Sequence, residues 1–405
     1  MYNKYCISIV VLSFLVNFAL LPSLLIGWRK IFFWIMAGLY FHIPFCKRIC
    51  SYCDFFRVAE LSYLPSVVEA MHCELEEQRE FLHNKRIETI YFGGGTPSLL
   101  SPKELQRLID HASELFDCRD VGEITVEANP DDVSDEWAEQ LAKTQINRVS
   151  LGVQSFDDGE LKFMNRRHSA QEAAEAVGRV QRAGISNVTI DLIFGVDGYG
   201  DEVLENSIAK ALELGVQHIS AYHLTIEPNT AFGRRRERGL MREVDEEQSE
   251  KEFRLMHERL TAAGYEHYEV SNFALPTYRA KHNSSYWHGV EYLGIGAGAH
   301  SYNGEMRHYS EQSVVEYIKS REYVEEQLSD IDNFNEYVMT SLRCAEGISL
   351  DYLKGRFGVL SADRVLRLAQ GWIESEDLRF DAGCLFIPAE RFMISDAVIE
   401  SLFEV

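Results

Sequence analysis

The chain has 405 residues, too many for one ordinary domain and enough for a barrel-sized domain with a smaller companion. Hydrophobic residues make up 46% and aromatic residues 12%, so a substantial core can form. The formal charge of −23 argues against a nucleic-acid backbone as the main partner, because such binding needs clustered Lys and Arg.

Taken in chain order, the first feature is an uncharged run from Ile7 to Trp28, followed by Arg29 and Lys30. That run is long enough to span a bilayer, and the basic pair after it favours a cytoplasmic body. The competing reading, which we favour, starts the natural chain at Met36, because Met36-Ala-Gly-Leu-Tyr-Phe-His-Ile leads directly into a strand. Residues 1–35 are therefore set apart, as a misplaced start or a membrane anchor.

From Gly38 to about Ala274 strands and helices alternate. Strands are expected at 39–43, 88–92, 123–127, 148–153, 188–194 and 218–224, with short apolar stretches that read as apolar on both faces. A helix is expected from Pro65 to His83. Ser101-Pro-Lys-Glu104 and Ser169-Ala-Gln-Glu172 are capping boxes opening further helices, and Ser134 caps another. Six such repeats imply a parallel sheet with right-handed crossovers, a partial (β/α)6 barrel over residues 36–275. The site of such a fold lies at the carboxyl ends of its strands.

Residues 276–405 change character. Helices are expected at 310–327, 333–344, 350–357 and 362–374, followed by two short strands near Leu378 and Cys384. This is a helical, winged-helix-like domain. With 13 acidic and 7 basic residues in 332–405, a packing or lid role is expected of it, not DNA binding.

Three of the eight cysteines crowd together as Cys46-Lys-Arg-Ile-Cys50-Ser-Tyr52-Cys53. A disulfide framework belongs to short secreted chains, so a reducing, cytoplasmic compartment fits better. Three thiolates in one loop suit iron–sulfur chemistry or zinc, but structural zinc wants a fourth ligand, usually from a second Cys pair. A four-iron cube held by three thiolates leaves one iron for a chelating small molecule. After the second strand comes Phe92-Gly-Gly94-Gly95-Thr96-Pro, where glycines let the backbone approach a ligand closely. Glu127 ends the third strand, and Gln154 and Asp191 occupy matching positions, with Arg166 in Met-Asn-Arg.

The C-x3-C-x-aromatic-C loop resembles that of the radical S-adenosylmethionine superfamily, whose fold is a partial βα barrel. The resemblance implies a [4Fe–4S] cluster on Cys46, Cys50 and Cys53. It also implies S-adenosylmethionine chelated to the open iron and contacted by Tyr40, Tyr52, Gly94, Gly95, Thr96, Glu127, Gln154, Arg166 and Asp191. In that family, reduction of the cluster cleaves the cofactor to a 5′-deoxyadenosyl radical.

From Gly38 onward the match narrows. Tyr40-Phe-His42-Ile-Pro-Phe-Cys46, Glu127-Ala-Asn-Pro, Gly152-Val-Gln-Ser-Phe and Asp191-Leu-Ile-Phe-Gly are similar to the coproporphyrinogen-oxidase-like branch. Within it, oxygen-independent coproporphyrinogen III oxidases carry an extra Cys where this chain has Phe55. His282-Asn283-Ser-Ser-Tyr286-Trp287 resembles the H-N-x-x-Y-W motif of the heme-chaperone group. That group is the preferred resemblance, and oxidative decarboxylation of coproporphyrinogen III in porphyrin biosynthesis is the alternative. The chaperone resemblance implies heme contacts at His282, Asn283, Tyr286 and Trp287. Client hemoproteins, membrane-associated respiratory enzymes among them, are the implied partners, and a homodimer is the expected assembly. On the residues alone, the motif also reads as a structural turn with His282 as a hydrogen bonder.

Overall fold

The expected strands assemble as β1 (Ala37–Ile43), β2 (Ile87–Gly94), β3 (Glu123–Ala128), β4 (Arg148–Gln154), β5 (Asn187–Phe194) and β6 (His218–His223). They pair in parallel in that order, each joined to the next through helix. Covering helices bring the local signals that start them. Ser101 and Ser169 each accept from the N3 amide, and Glu104 and Glu172 reach back to close the capping boxes. The computed structural model describes residues 36–310 and 313–404, so the hydrophobic segment 1–35 lies outside the described residues. Among the described residues no helix is long and apolar enough to cross a membrane.

Both edges of the parallel array are extended. At the β6 edge sit β7 (Glu266–Glu269) and β8 (Asn272–Ala274), antiparallel. On the β1 edge, β9 (Tyr292–Ile295) adds in parallel, followed by antiparallel β10 (His300–Tyr302), β11 (Met306–Ser310) and β12 (Tyr323–Gln327). The result is a sheet of twelve strands that continues past residue 275.

One expectation fails here. The helix read over 310–327 is instead the end of β11, a short helix Val314–Lys319 and the strand β12. The Glu-rich stretch of β12 has ordinary helix formers, but pairing with β11 and exposure at the sheet edge decide its state; charged side chains suit an edge strand. The helix expected to reach His83 also stops early, at Glu77.

The strand faces differ from expectation as well. Leu39, Phe41, Ile43, Ile90, Phe92, Val126, Val149, Leu151, Ile190, Leu192 and Ile219 form the apolar outer face and are buried in the main core. The alternate positions are polar: Tyr40 and His42, Thr89 and Tyr91, Thr125 and Glu127, Arg148 and Ser150, Thr189 and Asp191, His218 and Ser220. Strands with period-2 side chains therefore pack helices with one face and line a polar interior with the other.

The C-terminal helices Asp330–Leu342, Leu350–Phe357, Val359–Glu374 and Ser395–Leu402 carry a three-stranded wing of β13 (Ile348–Ser349), β14 (Arg379–Asp381) and β15 (Cys384–Phe386). This module docks on the β7 edge. Val270 N donates to Arg343 O and Ala345 N to Tyr268 O, both at 3.0 Å.

Candidate functional site

The loop after β1 is closed at its base. Val58 N donates to Pro44 O at 2.6 Å and Cys46 N to Val58 O at 3.1 Å. Three half-buried thiols, Cys46, Cys50 and Cys53, project from this loop at the carboxyl end of the sheet. Burial pushes the Cys46 and Cys53 thiols up, and the Arg57 guanidinium works against it.

The glycine loop sits directly against the start of this segment. Gly95 N donates to Ile43 O at 2.9 Å. A Cβ on Gly95 would lie 2.7 Å from both the N and the O of Phe45, so only glycine fits. Gly94 has φ +105° and lies against the His42 ring. Thr96 Oγ1 is 3.5 Å from Cys46 Sγ and accepts from Asn129 Nδ2 at 3.1 Å.

Arg166 joins the remaining strand ends to the loop. Its Nη1 donates to Cys50 Sγ at 3.2 Å, and its Nη2 to Asn129 Oδ1 at 2.7 Å and to Gly152 O. Gln154 ends β4 with φ 69° beyond a bulge, which turns its amide toward Gly152 and Arg166. Tyr52 packs with Leu161, Met164 and Phe232, and burial raises its hydroxyl pKa.

Glu127 accepts from Tyr91 Oη at 2.7 Å and from Gly94 N at 3.1 Å. Burial, with the Asp191 carboxylate adding to it, pushes its carboxyl up to about 7. Asp191 is pushed up to about 6 by burial. Both line an interior cavity of about 40 Å³ with Tyr91, Arg148, Tyr222 and Asn283.

The His282 segment forms the helix Lys281–Trp287, anchored at the opposite, amino ends of the strands. Glu123 accepts from the amides of Lys281 and His282 at 2.9 and 3.0 Å. His282 is 1% exposed, and both ring nitrogens are occupied: Nδ1 by Thr89 Oγ1 and Nε2 by Tyr286 Oη, each at 2.8 Å. Its ring stacks on Tyr91 at 5.0 Å and on Tyr40 at 6.3 Å. The hydroxyls of those two tyrosines reach Glu127 and His42, so aromatic rings link the helix to the carboxyl end. In this arrangement His282 packs the barrel and is not presented to a ligand at the surface. Trp287 is half-buried.

The radical SAM superfamily matches residues 40–211. The heme chaperone HemW of Lactococcus lactis is 39% identical over 322 residues, covering 78% of this chain and 84% of that protein. The chain belongs to the HemW family of heme chaperones. A second HemW, from Mycobacterium tuberculosis strain H37Rv, is 32% identical over 90% of this chain and 94% of its own length. Among solved structures, the radical SAM enzyme coproporphyrinogen III oxidase (HemN) of Escherichia coli superposes with a TM-score of 0.77 over 91% of this chain and 90% of its own. At 20% identity that likeness is one of fold, and it bears out the partial barrel with a C-terminal helical part.

In this HemW-family chain the residues around the loop fit the cofactors that the radical SAM fold implies. Arg57 Nε and Arg166 Nε are buried without a partner among the described residues, beside the soft thiols. Buried polar atoms of this kind ask for a polar ligand. Sequence reasoning had not singled out Asn129, which holds both Thr96 and Arg166, although it stands in the Glu127-Ala-Asn-Pro motif. Arg57 and the cavity-lining Arg148 were also missed. The alternation of polar residues along each strand was the signal for Arg148.

Proposed function

We propose that this chain binds heme and passes it to client hemoproteins while holding a [4Fe–4S] cluster on Cys46, Cys50 and Cys53. One observation carries the reading: in a HemW-family chain the fold brings the cysteine loop, the Gly94–Thr96 cradle and Arg166 to one strand-end mouth. Gly94, Gly95 and Thr96 would take the methionyl part of S-adenosylmethionine. Glu127 and Asp191 would accept from its polar groups, with Tyr40, Tyr52, Gln154 and Arg166 completing the pocket. When bound, the pair of cofactors supplies one-electron chemistry. The chain's own part is to hold them with fixed donors, keep the glycine backbone close, and limit the access of water through the half-buried rings of Tyr40 and Tyr91.

For heme, His282, Asn283, Tyr286 and Trp287 are the proposed contacts in a state where the helix Lys281–Trp287 has left Thr89. Imidazole can ligate iron, and the two aromatic rings offer flat faces to a porphyrin. Clients of this kind include membrane-associated respiratory hemoproteins, met from the cytoplasm by a monomer or homodimer. We assign residues 36–275 to the cofactor barrel and 276–405 to the C-terminal part, which opens with the heme segment.

The test is anaerobic titration of the reconstituted full chain with hemin, with and without S-adenosylmethionine. Saturable binding of hemin is expected, with no protoporphyrinogen formed when coproporphyrinogen III and reductant are supplied. Turnover of that substrate would sink the chaperone reading in favour of the oxidase.

A further inference from the structure

The polar interior of the sheet holds a cation with no counter-charge beside it. Arg148 opens β4 at its amino end and is 2% exposed. Its Nη1 donates to Asn187 Oδ1 at 3.1 Å and to Tyr278 O at 3.3 Å, and its Nη2 to Thr189 Oγ1 at 2.6 Å. These acceptors are all neutral, and Arg148 forms no ion pair with a described residue. Buried charges are ordinarily paired, so an unpaired one marks a place for an anion.

The groups around it also lack partners. His218 is 0% exposed, lines the same cavity as Arg148, and has no partner for Nδ1 among the described residues. Across the ring, Nε2 lies 2.8 Å from Tyr268 Oη, which accepts from Ala280 N at 3.3 Å. Tyr268 thus gives its proton to Nε2, which assigns the ring's own proton to Nδ1 as a donor without an acceptor. Thr125 pairs with Arg148 across β3 and β4, and its buried hydroxyl is unpartnered too. The two carboxylates of the cavity are held elsewhere. Glu127 accepts from Tyr91 and Gly94, and Asp191 from Ser150 Oγ at 3.5 Å.

Size and position narrow the occupant. The cavity of about 40 Å³ has room on the order of two or three waters, the size of a carboxylate group but not of a ring system. Ala280 and Asn283 form part of its wall, at the start of the segment proposed for heme. Tyr278 O, one of the acceptors of Arg148, belongs to the same stretch.

We propose that Arg148 receives a propionate carboxylate of heme, with His218 Nδ1 as a second donor. The proposal rests on the heme reading above and names the part of that ligand which the barrel recognises. As the helix Lys281–Trp287 leaves its dock, Arg148 loses Tyr278 O and the cavity opens toward the porphyrin edge. The carboxylate takes the place of the lost acceptor, and the macrocycle stays outside. On a chain of net charge −23 most of the surface repels an anionic ligand, so an unpaired buried cation supplies the attraction. The planar fork of a guanidinium also matches a carboxylate in shape.

The experiment titrates the reconstituted full chain, anaerobically and in one mild detergent, with hemin and with hemin dimethyl ester. The ester keeps the iron and the ring and lacks both negative charges. The unaltered chain is expected to bind the ester about tenfold or more weakly than hemin, the worth of a charge-assisted hydrogen bond. Arg148→Gln should bind hemin as weakly as the ester, with its ester affinity nearly unchanged, and Arg148→Lys should keep part of the preference. Circular dichroism and iron content report the fold of each variant. Where Arg148→Gln does not fold, Arg148→Lys against the unaltered chain decides the matter. Equal affinity for hemin and ester in the unaltered chain overturns the proposal, leaving Arg148 to strand packing or to a free small anion. An equal loss for both ligands in a folded variant, or an undiminished preference, overturns it as well. Failure of the heme reading is seen separately, as no saturable binding of hemin by the unaltered chain.

Discussion

Arg166 Nη1 lies 3.2 Å from Cys50 Sγ, while Nη2 of the same guanidinium lies 2.7 Å from Asn129 Oδ1. One planar fork thereby fixes the cysteine loop to the end of β3. Lysine keeps the charge but cannot serve both partners. Arg166→Lys is expected to keep its cluster and to bind S-adenosylmethionine about ten- to a hundredfold more weakly, the worth of one or two charge-assisted hydrogen bonds. Calorimetric titration of the reconstituted variant checks it, and unchanged affinity would remove Arg166 from the pocket.

The approach of Gly95 to Phe45 permits no side chain. Because the obstacle is backbone on both sides, Gly95→Ala must push the glycine loop off the first strand. A loss of about 1–3 kcal/mol in stability is expected from such overpacking, together with a marked fall in iron bound per chain. Chemical denaturation and iron analysis read the two effects. A variant with full iron content and undisturbed stability would contradict the close packing.

Glu127 gives a pH dependence with a defined sign. Its carboxyl is raised from 4.5 to about 7 in the fold. Between those values the folded chain keeps a proton that the unfolded chain has released, so this group's contribution to stability falls as pH rises through the window. Asp191, raised from 3.8 to about 6, acts in the same direction. Glu127→Gln is therefore expected to have a higher Tm than the unaltered apo-chain at pH 8, with the gap closing toward pH 4.5. Affinity for S-adenosylmethionine should rise from pH 6 to 8 in the unaltered chain, and the rise should shrink in the Gln variant to the smaller part that Asp191 supplies. Thermal melts and titrations across pH decide it.

His282 is held by Thr89 and Tyr286. Removing it leaves a cavity and orphans both hydroxyls, so His282→Ala is expected to lose about 2–5 kcal/mol of stability. Thr89→Val tests the heme proposal without touching the motif. If hemin requires the helix Lys281–Trp287 to leave its dock, weakening that dock lowers the cost of the competent state, and hemin should bind more tightly. Weaker hemin binding in Thr89→Val, with the fold intact by circular dichroism, would place heme elsewhere.

Much of this molecule is local and was therefore readable in one dimension. The capping boxes at Ser101 and Ser169 use groups within four residues of each other. The loop from Cys46 to Cys53 is a contiguous set of three thiols, whose soft-donor character is read from residue type and spacing. The six core strands were each legible to within two residues at either end, because apolar runs between capped helices have few alternatives.

Other features depend on contacts that only the folded chain makes. Residues 310–327 suit a helix by composition and became partly a strand because β11 offers a pairing edge. The interior polar face was present as an alternation, but its meaning came from the assembled sheet, which turns Tyr91, Glu127, Arg148 and Asp191 toward one cavity. His282 lies 193 residues from Thr89 in sequence, and no local pattern announces that bond. Propensity and spacing act through near neighbours and are fixed by the sequence. Partners distant along the chain are chosen by the sheet order and by which groups burial leaves in need of one.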